Sequence, residues 1–397
     1  VEDSDVPQHI VASIENEKQE SEKRRKELEE MHLYTTVHVH SMHNFINFQG
    51  FDISPNERSK LYSPELHQDN EYSLALRFLR STKMDDLFRE INKTLEVPDD
   101  KLVQYWTMAY RKNYTLRLDC PVSHSSDGMT LEQVMKSIGA ERASSIDLFI
   151  EESYYELNYL SSLHNSGKLS FSGMNAKFLS EVKDKVSRNE LPDSREYLKP
   201  TDDPHRILIF LKFFDIGKQK LQGFSHATVR QTEEIKVLAN SVSSMFENNF
   251  PVKFYEEVQP ELIEEVDSNQ QFVIAELYDG DILTFQNVPS RTLSSLPYHE
   301  NVTEFYDFLR YRIKITLSRT EESDEEYVLP ADKDTDEIEF WVSSRSSYKE
   351  LSKIISSFVN AKPDYIRVFA VYPNGRFSMS SESSLDEYLI KNYTKDT

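Results

Sequence analysis

The sequence predicts an α+β fold made of tandem modules. Three segments of the 397-residue chain repeat one order of elements: apolar strands, an amphipathic helix, a proline and another strand. Their helices are marked by apolar residues at helical spacing that follow Thr82, Thr232 and Ser347. Two strands, one helix and further strands is the order of a β-grasp module, in which the helix covers one face of a mixed sheet. The pattern by itself predicts tandem α+β modules of this kind.

The chain divides into five parts on composition and pattern. Residues 1–32 are strongly charged, with no apolar residue from Glu15 to Glu27, and pairs such as Glu20 with Arg24 favour a connector helix. This helix is either a solvated spacer or a rigid lever that directs the next domain. The remaining parts are a first module at 33–153, an insertion or linker at 154–203, a second module at 204–289 and a third at 290–397. Because the chain ends soon after a short helix predicted at 384–392, the third module is expected to lack its last strand or to close with another one.

Each module helix has a predicted N-terminal cap. Thr82 with Asp85 resembles a capping box, Thr232 precedes two glutamates, and Ser347 with Glu350 forms a capping box. Proline ends each helix region, and strands should follow at 102–110, 252–258 and 365–372. Other strands are predicted at 70–80, 206–214, 221–229, 310–317 and 337–342.

Composition excludes several classes of protein. The formal net charge of -22 argues against nucleic acid as the main ligand and fits a basic protein partner. The longest apolar runs are strand-sized, which argues against a membrane span. A single cysteine excludes intramolecular disulfides and cysteine-based zinc sites. The nine glycines are never adjacent and form no phosphate-binding loop, so no cofactor is expected. We expect a piece of a larger cytoplasmic or nuclear protein.

Candidate catalytic and metal-binding residues are few. Cys120 lies in a Leu-Asp-Cys-Pro segment without helix or paired base, so an inert thiol is favoured over a pair with His124. His38, His40 and His43 lie on or beside the first strand. They are expected to point to solvent rather than to bind zinc, because Val37 and Val39 supply the buried face.

An acidic turn in the second module is the strongest candidate for a binding site. Glu276, Asp279 and Asp281 lie within six residues, and Asp279-Gly280 favours a tight turn before the next strand. Such a turn should project its carboxylates outward, where they can hold basic side chains by charge-assisted hydrogen bonds. A merely solvated turn is the alternative.

Three longer phrases of the sequence resemble a known family. They are Glu22-Lys-Arg-Arg-Lys-Glu27 with His32-Leu-Tyr34, then Tyr255-Glu-Glu-Val-Gln-Pro-Glu-Leu262, then Glu276-Leu-Tyr-Asp-Gly-Asp-Ile-Leu-Thr-Phe-Gln286. In this order they resemble the region after the catalytic domain of the herpesvirus-associated ubiquitin-specific protease, HAUSP, in a fungal-type relative. The match is densest around 250–290.

The resemblance implies tandem ubiquitin-like domains in a thiol-dependent deubiquitinase. No active site is expected in this chain, whereas the parent would be the enzyme. In the family, an acidic patch on the second ubiquitin-like domain binds Lys/Arg-rich partner segments, and Glu276, Asp279 and Asp281 match it. One family acid is replaced by Ala275. Recruitment of substrates or regulators is thus the leading hypothesis.

Three other functions are weighed. The region can instead dock on the parent's own catalytic domain and tune its rate. An autonomous enzyme would need a triad or metal motif that the sequence does not offer. A conjugatable modifier would need a Gly-Gly end, whereas this chain ends in Lys395-Asp-Thr397.

Overall fold

The computed structural model describes most of the three predicted modules. The described residues are 31–54, 74–97, 103–122, 128–151, 205–286, 299–318 and 337–378, apart from a few positions inside these ranges, with single positions between 17 and 21 and between 175 and 184. Most of the predicted connector helix and of the 154–203 insertion lies outside them. His124, the short helix at 384–392 and the end of the third module lie outside them entirely.

The first sheet has five strands. Its elements are β1 (Tyr34–Ser41), α1 (Met42–Asn47), β2 (Leu74–Leu79), α2 (Met84–Thr94), β3 (Gln104–Tyr110), β4 (Leu116–Val122), α3 (Leu131–Ser137) and β5 (Ser145–Glu151). The strand, helix and strand predicted around Thr82 are present among them as β2, α2 and β3. The strand order is β2-β1-β5-β3-β4. Strands β1 and β5 are parallel, and the other neighbours are antiparallel.

One face of this sheet is covered by α2. Met84, Leu87 and Ile91 have helical spacing and are fully buried. They share a core with alternate residues of the central strands, including Val37 and Leu148. This is the predicted amphipathic helix on a half-buried sheet.

The second sheet repeats the same arrangement. Its elements are β6 (Arg206–Asp215), β7 (Lys220–Arg230), α4 (Ile235–Ser244), β8 (Tyr255–Gln259), β9 (Leu262–Glu265) and β10 (Ile282–Gln286). The strand order is β7-β6-β10-β8-β9, with β6 and β10 parallel. Nine of the ten positions of β6 are buried. Such continuous burial means that both faces of the strand are covered.

The first sheet supplies the second cover of β6. A single core contains Trp106, Met108 and Leu118 of the first sheet together with residues of β6, β7 and β10 of the second. The ring of Phe210 in β6 lies 5.1 Å from the ring of Phe45 and 5.1 Å from that of Phe149. The two sheets therefore pack directly on each other.

The remaining described part contains a helix that the sequence analysis missed. Its elements are α5 (Val302–Tyr311), β11 (Arg312–Ser318), β12 (Glu337–Ser343), α6 (Tyr348–Val359), β13 (Phe369–Tyr372) and β14 (Gly375–Ser378). Helix α5 packs on the second sheet, where the ring of Phe305 stacks 4.5 Å from that of Phe214. Strands β11 and β12 share a separate core with α6.

Two of the predicted helix caps are wrong. Helix α2 is preceded by Lys83 and helix α4 by Glu234, and neither side chain caps its helix. Backbone carbonyls of neighbouring segments accept from the first helical N–H groups instead, for example Gln270 O from Ile235 N at 2.9 Å. Tertiary pairing thus replaces the local cap. The capping box of Ser347 with Glu350 is confirmed by reciprocal hydrogen bonds.

Four strands begin later than predicted. Strand β3 begins at Gln104 rather than at 102, and β11 begins at Arg312 rather than at 310, because the two positions before it belong to α5. Strand β8 begins at Tyr255 rather than at 252, and β13 begins at Phe369 rather than at 365, after a 3-10 turn at Pro363–Tyr365. Among the described residues, no helix has the length and apolar character needed to cross a bilayer.

Candidate functional site

The predicted acidic turn lies immediately before β10 and next to the first sheet. Phe272 and Leu277 anchor it in the shared core and are fully buried. Gly280 has a φ of +80°, a conformation that glycine adopts without the steric cost of a Cβ atom. Ala275, where the resembled family has an acid, packs partly buried against the same core. The turn is therefore a fixed feature of the backbone.

The three carboxylates of the turn have different environments. Glu276 is exposed. Asp279 is partly buried, its Oδ1 accepts a 2.7 Å hydrogen bond from Leu208 N, and burial raises the pKa of its carboxyl. Asp281 is 3% exposed and its Oδ2 accepts from Tyr278 N at 2.7 Å. The expectation that all three project outward is wrong, because the chain enters the sheet at Asp281 and the first module packs beside it. Their role in partner binding stays a prediction.

A side chain of the first module occupies the inner part of this turn. Arg111 follows β3 at the tip of the β3–β4 hairpin. Its Nη1 lies 2.5 Å from Asp281 Oδ1, and its Nη2 donates to the Asp279 carbonyl at 3.0 Å. Asn113 of the same hairpin donates to Val258 O at 2.9 Å. The hairpin of one module thus binds the turn and a strand of the other.

The outer surface of the turn is partly apolar. Ile274 is 64% exposed and Tyr278 is 55% exposed, on either side of Glu276. A ligand on this surface would meet one free carboxylate flanked by apolar side chains.

Five residues form a buried ion network where the two sheets meet α5. Glu257 is its centre: Oε2 accepts from Lys212 Nζ and from Tyr306 Oη, each at 2.6 Å, and Oε1 accepts from Asp52 N at 2.6 Å. Arg117 binds the Asp52 carboxylate and donates to Glu257 O at 2.9 Å. Two cations thus face two carboxylates, and all four side chains are buried.

Burial dominates the acid–base properties of this network. It lowers the pKa of Lys212 to about 8 and also lowers that of Arg117, although Glu257 acts in the opposite direction on both. It raises the pKa of Tyr306 well above its ordinary value, helped by the charge of Glu257. The groups are buried and mutually satisfied, so the network can fix the modules but cannot reach a substrate.

A second buried acid, Glu151, lies between the two sheets. Glu151 accepts from Trp106 Nε1 at 2.6 Å, and its Oε1 is 3.7 Å from Nε2 of His226 in β7. Burial raises the pKa of Glu151, and the charge of His226 opposes this rise. Polar as well as apolar contacts therefore join the two sheets.

We expect the stability of this two-sheet unit to fall as the pH rises from about 5 to about 8. Burial, and then the charge of Asp281, raise the pKa of Glu256 to about 7 from 4.5. The folded state therefore retains a proton that the unfolded chain releases, and stability is lost as the pH passes through the folded pKa. Because Glu256 is partly solvated, we expect a loss of about 1–2 kcal/mol rather than the full equivalent of the shift.

Urea unfolding between pH 5 and pH 8 tests this dependence. Glu256→Gln should flatten the decline without abolishing it, since burial also raises the pKa of Asp279 and Glu151. Glu90→Gln, on the exposed face of α2, is the control and should retain the slope. A Glu256→Gln curve parallel to that of the unmodified chain would contradict this assignment.

Cys120 lies within β4, and its Sγ is 3.2 Å from Thr107 Oγ1. Burial raises its pKa, which disfavours the thiolate that nucleophilic attack requires.

The histidine cluster is divided between solvent and core. His43 is exposed and His38 is half-buried, but His40 is 3% exposed, so the expectation that it points to solvent is wrong. Its Nε2 is 2.8 Å from Asp147 Oδ1 and its Nδ1 is 2.8 Å from Ser54 Oγ. Asp147 on the adjacent strand β5 is the hydrogen-bond partner that offsets the cost of burying this polar side chain. Within the described ranges, no three His, Cys, Asp or Glu side chains converge as metal ligands.

The basic residues that lie where the two sheets meet were not predicted from the sequence. Lys212 interrupts an otherwise apolar strand, which is itself a signal, because a lysine within such a run must find a buried partner. Arg117 alternates with leucines in β4 in a comparable way. Arg111 carries no such signal, since hairpin tips are commonly charged.

Comparison with known proteins gives one family and several relatives. The family described as the ICP0-binding domain of Ubiquitin-specific protease 7 matches residues 103–385. Ubiquitin carboxyl-terminal hydrolase 15 of Saccharomyces cerevisiae is 33% identical over 99% of this chain and 34% of its own length. The protein of that name in Schizosaccharomyces pombe is 22% identical over 99% of this chain and 30% of its own length. Ubiquitin C-terminal hydrolase 13 of Arabidopsis thaliana is 21% identical over 82% of this chain and 25% of its own length. The chain thus spans about a third or less of these relatives.

Proposed function

The chain belongs to the HAUSP-type family of ubiquitin-specific proteases, and from this premise we propose that it is a non-catalytic region of a deubiquitinase that recruits basic protein segments. The docking surface would be the acidic turn of the second module. A partner held there would gain effective concentration near the catalytic domain of the parent. The family description names an ICP0-binding domain, and ICP0 binding is said there of Ubiquitin-specific protease 7.

We also propose that the two sheets are ubiquitin-like β-grasp modules. Both have the strand order in which the first and last strands are parallel neighbours at the centre of the sheet. Both place a helix of ten or eleven residues after the first antiparallel pair of strands. These features support modules at 33–153 and 204–289, and the tandem arrangement would continue into 290–397 after the 1–32 connector and the 154–203 insertion.

The observation that carries the recruitment proposal is the position of Glu276. It is exposed on a turn whose neighbours Phe272 and Leu277 are fixed in the core. A carboxylate held on an anchored backbone loses little entropy when a basic side chain binds it. An exposed ion pair contributes only about 0.2–1 kcal/mol, so binding should be weak, multivalent and sensitive to salt.

Charge reversal at Glu276 is the direct test. We expect Glu276→Lys to weaken binding of a Lys/Arg-rich peptide about three- to tenfold at low salt, because an attraction becomes a repulsion. Glu90→Lys on the exposed face of α2 is the matched control, with the same change in net charge and no expected loss. Asp281 is less suitable for this test, because its replacement also breaks the contact with Arg111.

Equal binding by both variants and the unmodified chain would place recruitment elsewhere. Docking on the parent's own catalytic domain would then be favoured. Turnover of a ubiquitin substrate by the full-length parent, with and without residues 1–397, measures that alternative.

A further inference from the structure

We propose that Arg111 is an internal occupant of the acidic turn, and that a partner reaches Asp281 only by displacing it with an arginine of its own. This inference rests on the proposed recruitment function and adds regulation and side-chain preference to it. The intact chain would then be a self-capped form of the binding site.

Arg111 contacts the turn through two separate hydrogen bonds. One guanidinium nitrogen lies 2.5 Å from the Asp281 carboxylate, and the other donates to the Asp279 carbonyl at 3.0 Å. The two interacting residues are 170 positions apart in the chain, so local sequence does not impose this pairing. A planar guanidinium satisfies two separate acceptors, whereas a lysine ammonium acts as a single point charge. The acceptors of the turn thus favour arginine over lysine.

Burial makes Arg111 a gate for this carboxylate. The Asp281 side chain is 4% exposed, whereas that of Arg111 is 36% exposed. With Arg111 in place, an external basic group can meet Glu276 but not Asp281. The Arg111 side chain can move toward solvent, because about a third of its surface is already exposed.

The hairpin does not depend on this contact for its position. Asn113 donates to Val258 O, and Arg111 N donates to Thr115 O at 2.9 Å within the hairpin itself. Leu116 and Leu118, which follow in β4, are buried in the shared core. The guanidinium can therefore move while the module stays docked.

The cap should lower apparent affinity in proportion to its occupancy. A site that is open for a fraction of the time binds its ligand more weakly by that fraction. An arginine of the partner would replace contacts that Arg111 already makes. The net gain in binding free energy from this exchange is therefore small. If the cap is closed about nine-tenths of the time, removing Arg111 should tighten binding on the order of tenfold.

The experiment compares the unmodified whole chain with four variants of it, which are Arg111→Ala, Arg111→Lys, Arg89→Ala and Glu276→Lys. Fluorescence anisotropy would measure binding of a ten-residue labelled peptide with two arginines in a glycine–serine background, beside its lysine counterpart. Arg111→Ala should bind the arginine peptide about tenfold more tightly than the unmodified chain. Arg89→Ala, which removes an equal charge from an exposed ion pair on α2, should bind as the unmodified chain does. Each chain should prefer the arginine peptide.

A second variant protects the test against loss of folding. Arg111→Lys keeps the charge beside Asp281 but cannot bridge both acceptors, so its binding should tighten by an intermediate factor. Thermal melting of every variant identifies any that has unfolded.

The remaining outcomes separate the two proposals. If both Arg111 variants bind as the unmodified chain does while Glu276→Lys weakens binding, the cap is overturned and recruitment stands. If neither the unmodified chain nor any variant binds either peptide, both proposals are wrong. Equal or tighter binding of the lysine peptide would overturn the arginine preference.

Discussion

Replacement of Glu257 by glutamine should destabilise the two-sheet unit by about 3–5 kcal/mol, the usual cost of removing one member of a buried ion pair. Glu257 is 2% exposed and accepts hydrogen bonds from Lys212 and Tyr306. Its loss removes the carboxylate that binds Lys212, while Arg117 keeps its ion pair with Asp52. A glutamine amide has nearly the same shape, so the effect reports charge rather than packing.

Chemical denaturation and thermal melting measure this effect. A fall in melting temperature on the order of 10 °C corresponds to the expected loss in a unit of this size. Glu265→Gln, on the same β8–β9 hairpin, is the matched control, since its ion pair with Lys253 is exposed and should matter little.

A double variant distinguishes charge imbalance from any other defect. Glu257→Gln with Lys212→Met removes one charge of each sign and leaves Arg117 with Asp52. We expect the double variant to be more stable than Glu257→Gln alone, because the unpaired buried cation is gone. A double variant that is less stable by the sum of both single losses would show that Lys212 and Glu257 act independently.

Replacement of Gly280 by alanine should cost about 2–5 kcal/mol, from two separate causes. The φ of +80° places the new Cβ in a conformation that costs about 1–2 kcal/mol for other residues. The same Cβ would lie 2.5 Å from Leu118 N, a backbone atom of the first module that cannot rotate away. Overpacking of this kind costs a further ~1–3 kcal/mol.

Gly139 separates the two causes. It has a φ of +72°, but nothing lies within 4 Å of the position of its Cβ. Gly139→Ala should therefore show the backbone cost alone, about 1–2 kcal/mol. The difference between the two variants in urea unfolding measures the close approach of the modules. Equal losses would mean that the modules separate freely at Gly280.

Local patterns were reliable where the physical cause is local. The stripes of α2, α4 and α6 follow from helical periodicity, and the turn before β10 follows from Asp279-Gly280. Helix α5 had the same kind of signal, with buried residues at positions 302, 305, 306 and 309 and an Asn301 cap. This helix was not predicted, and the strand predicted from 310 overlaps its last two residues.

Local patterns failed where a distant segment supplies the partner. The helices after Thr82 and Thr232 begin one to two residues later than their caps predicted, because carbonyls from other segments accept from their first N–H groups. His40 is buried because Asp147 lies beside it on the parallel strand. Asp281 is buried because Arg111 neutralises it from another module. None of these partners can be identified from the neighbouring sequence.

The sequence by itself determined the α+β class, the apolar stripes of α2, α4 and α6, the family resemblance and the position of the acidic turn. Each of these depends on residues that are close in the chain, such as the 3.6-residue helical period or a two-residue turn. Only the tertiary structure decided that the two sheets share one core, that Lys212 and Glu257 pair within it, and that Glu276 alone of the three carboxylates is exposed. The reason is physical: burial and ion pairing are set by distances through space, here between residues such as Arg111 and Asp281 that are 170 positions apart.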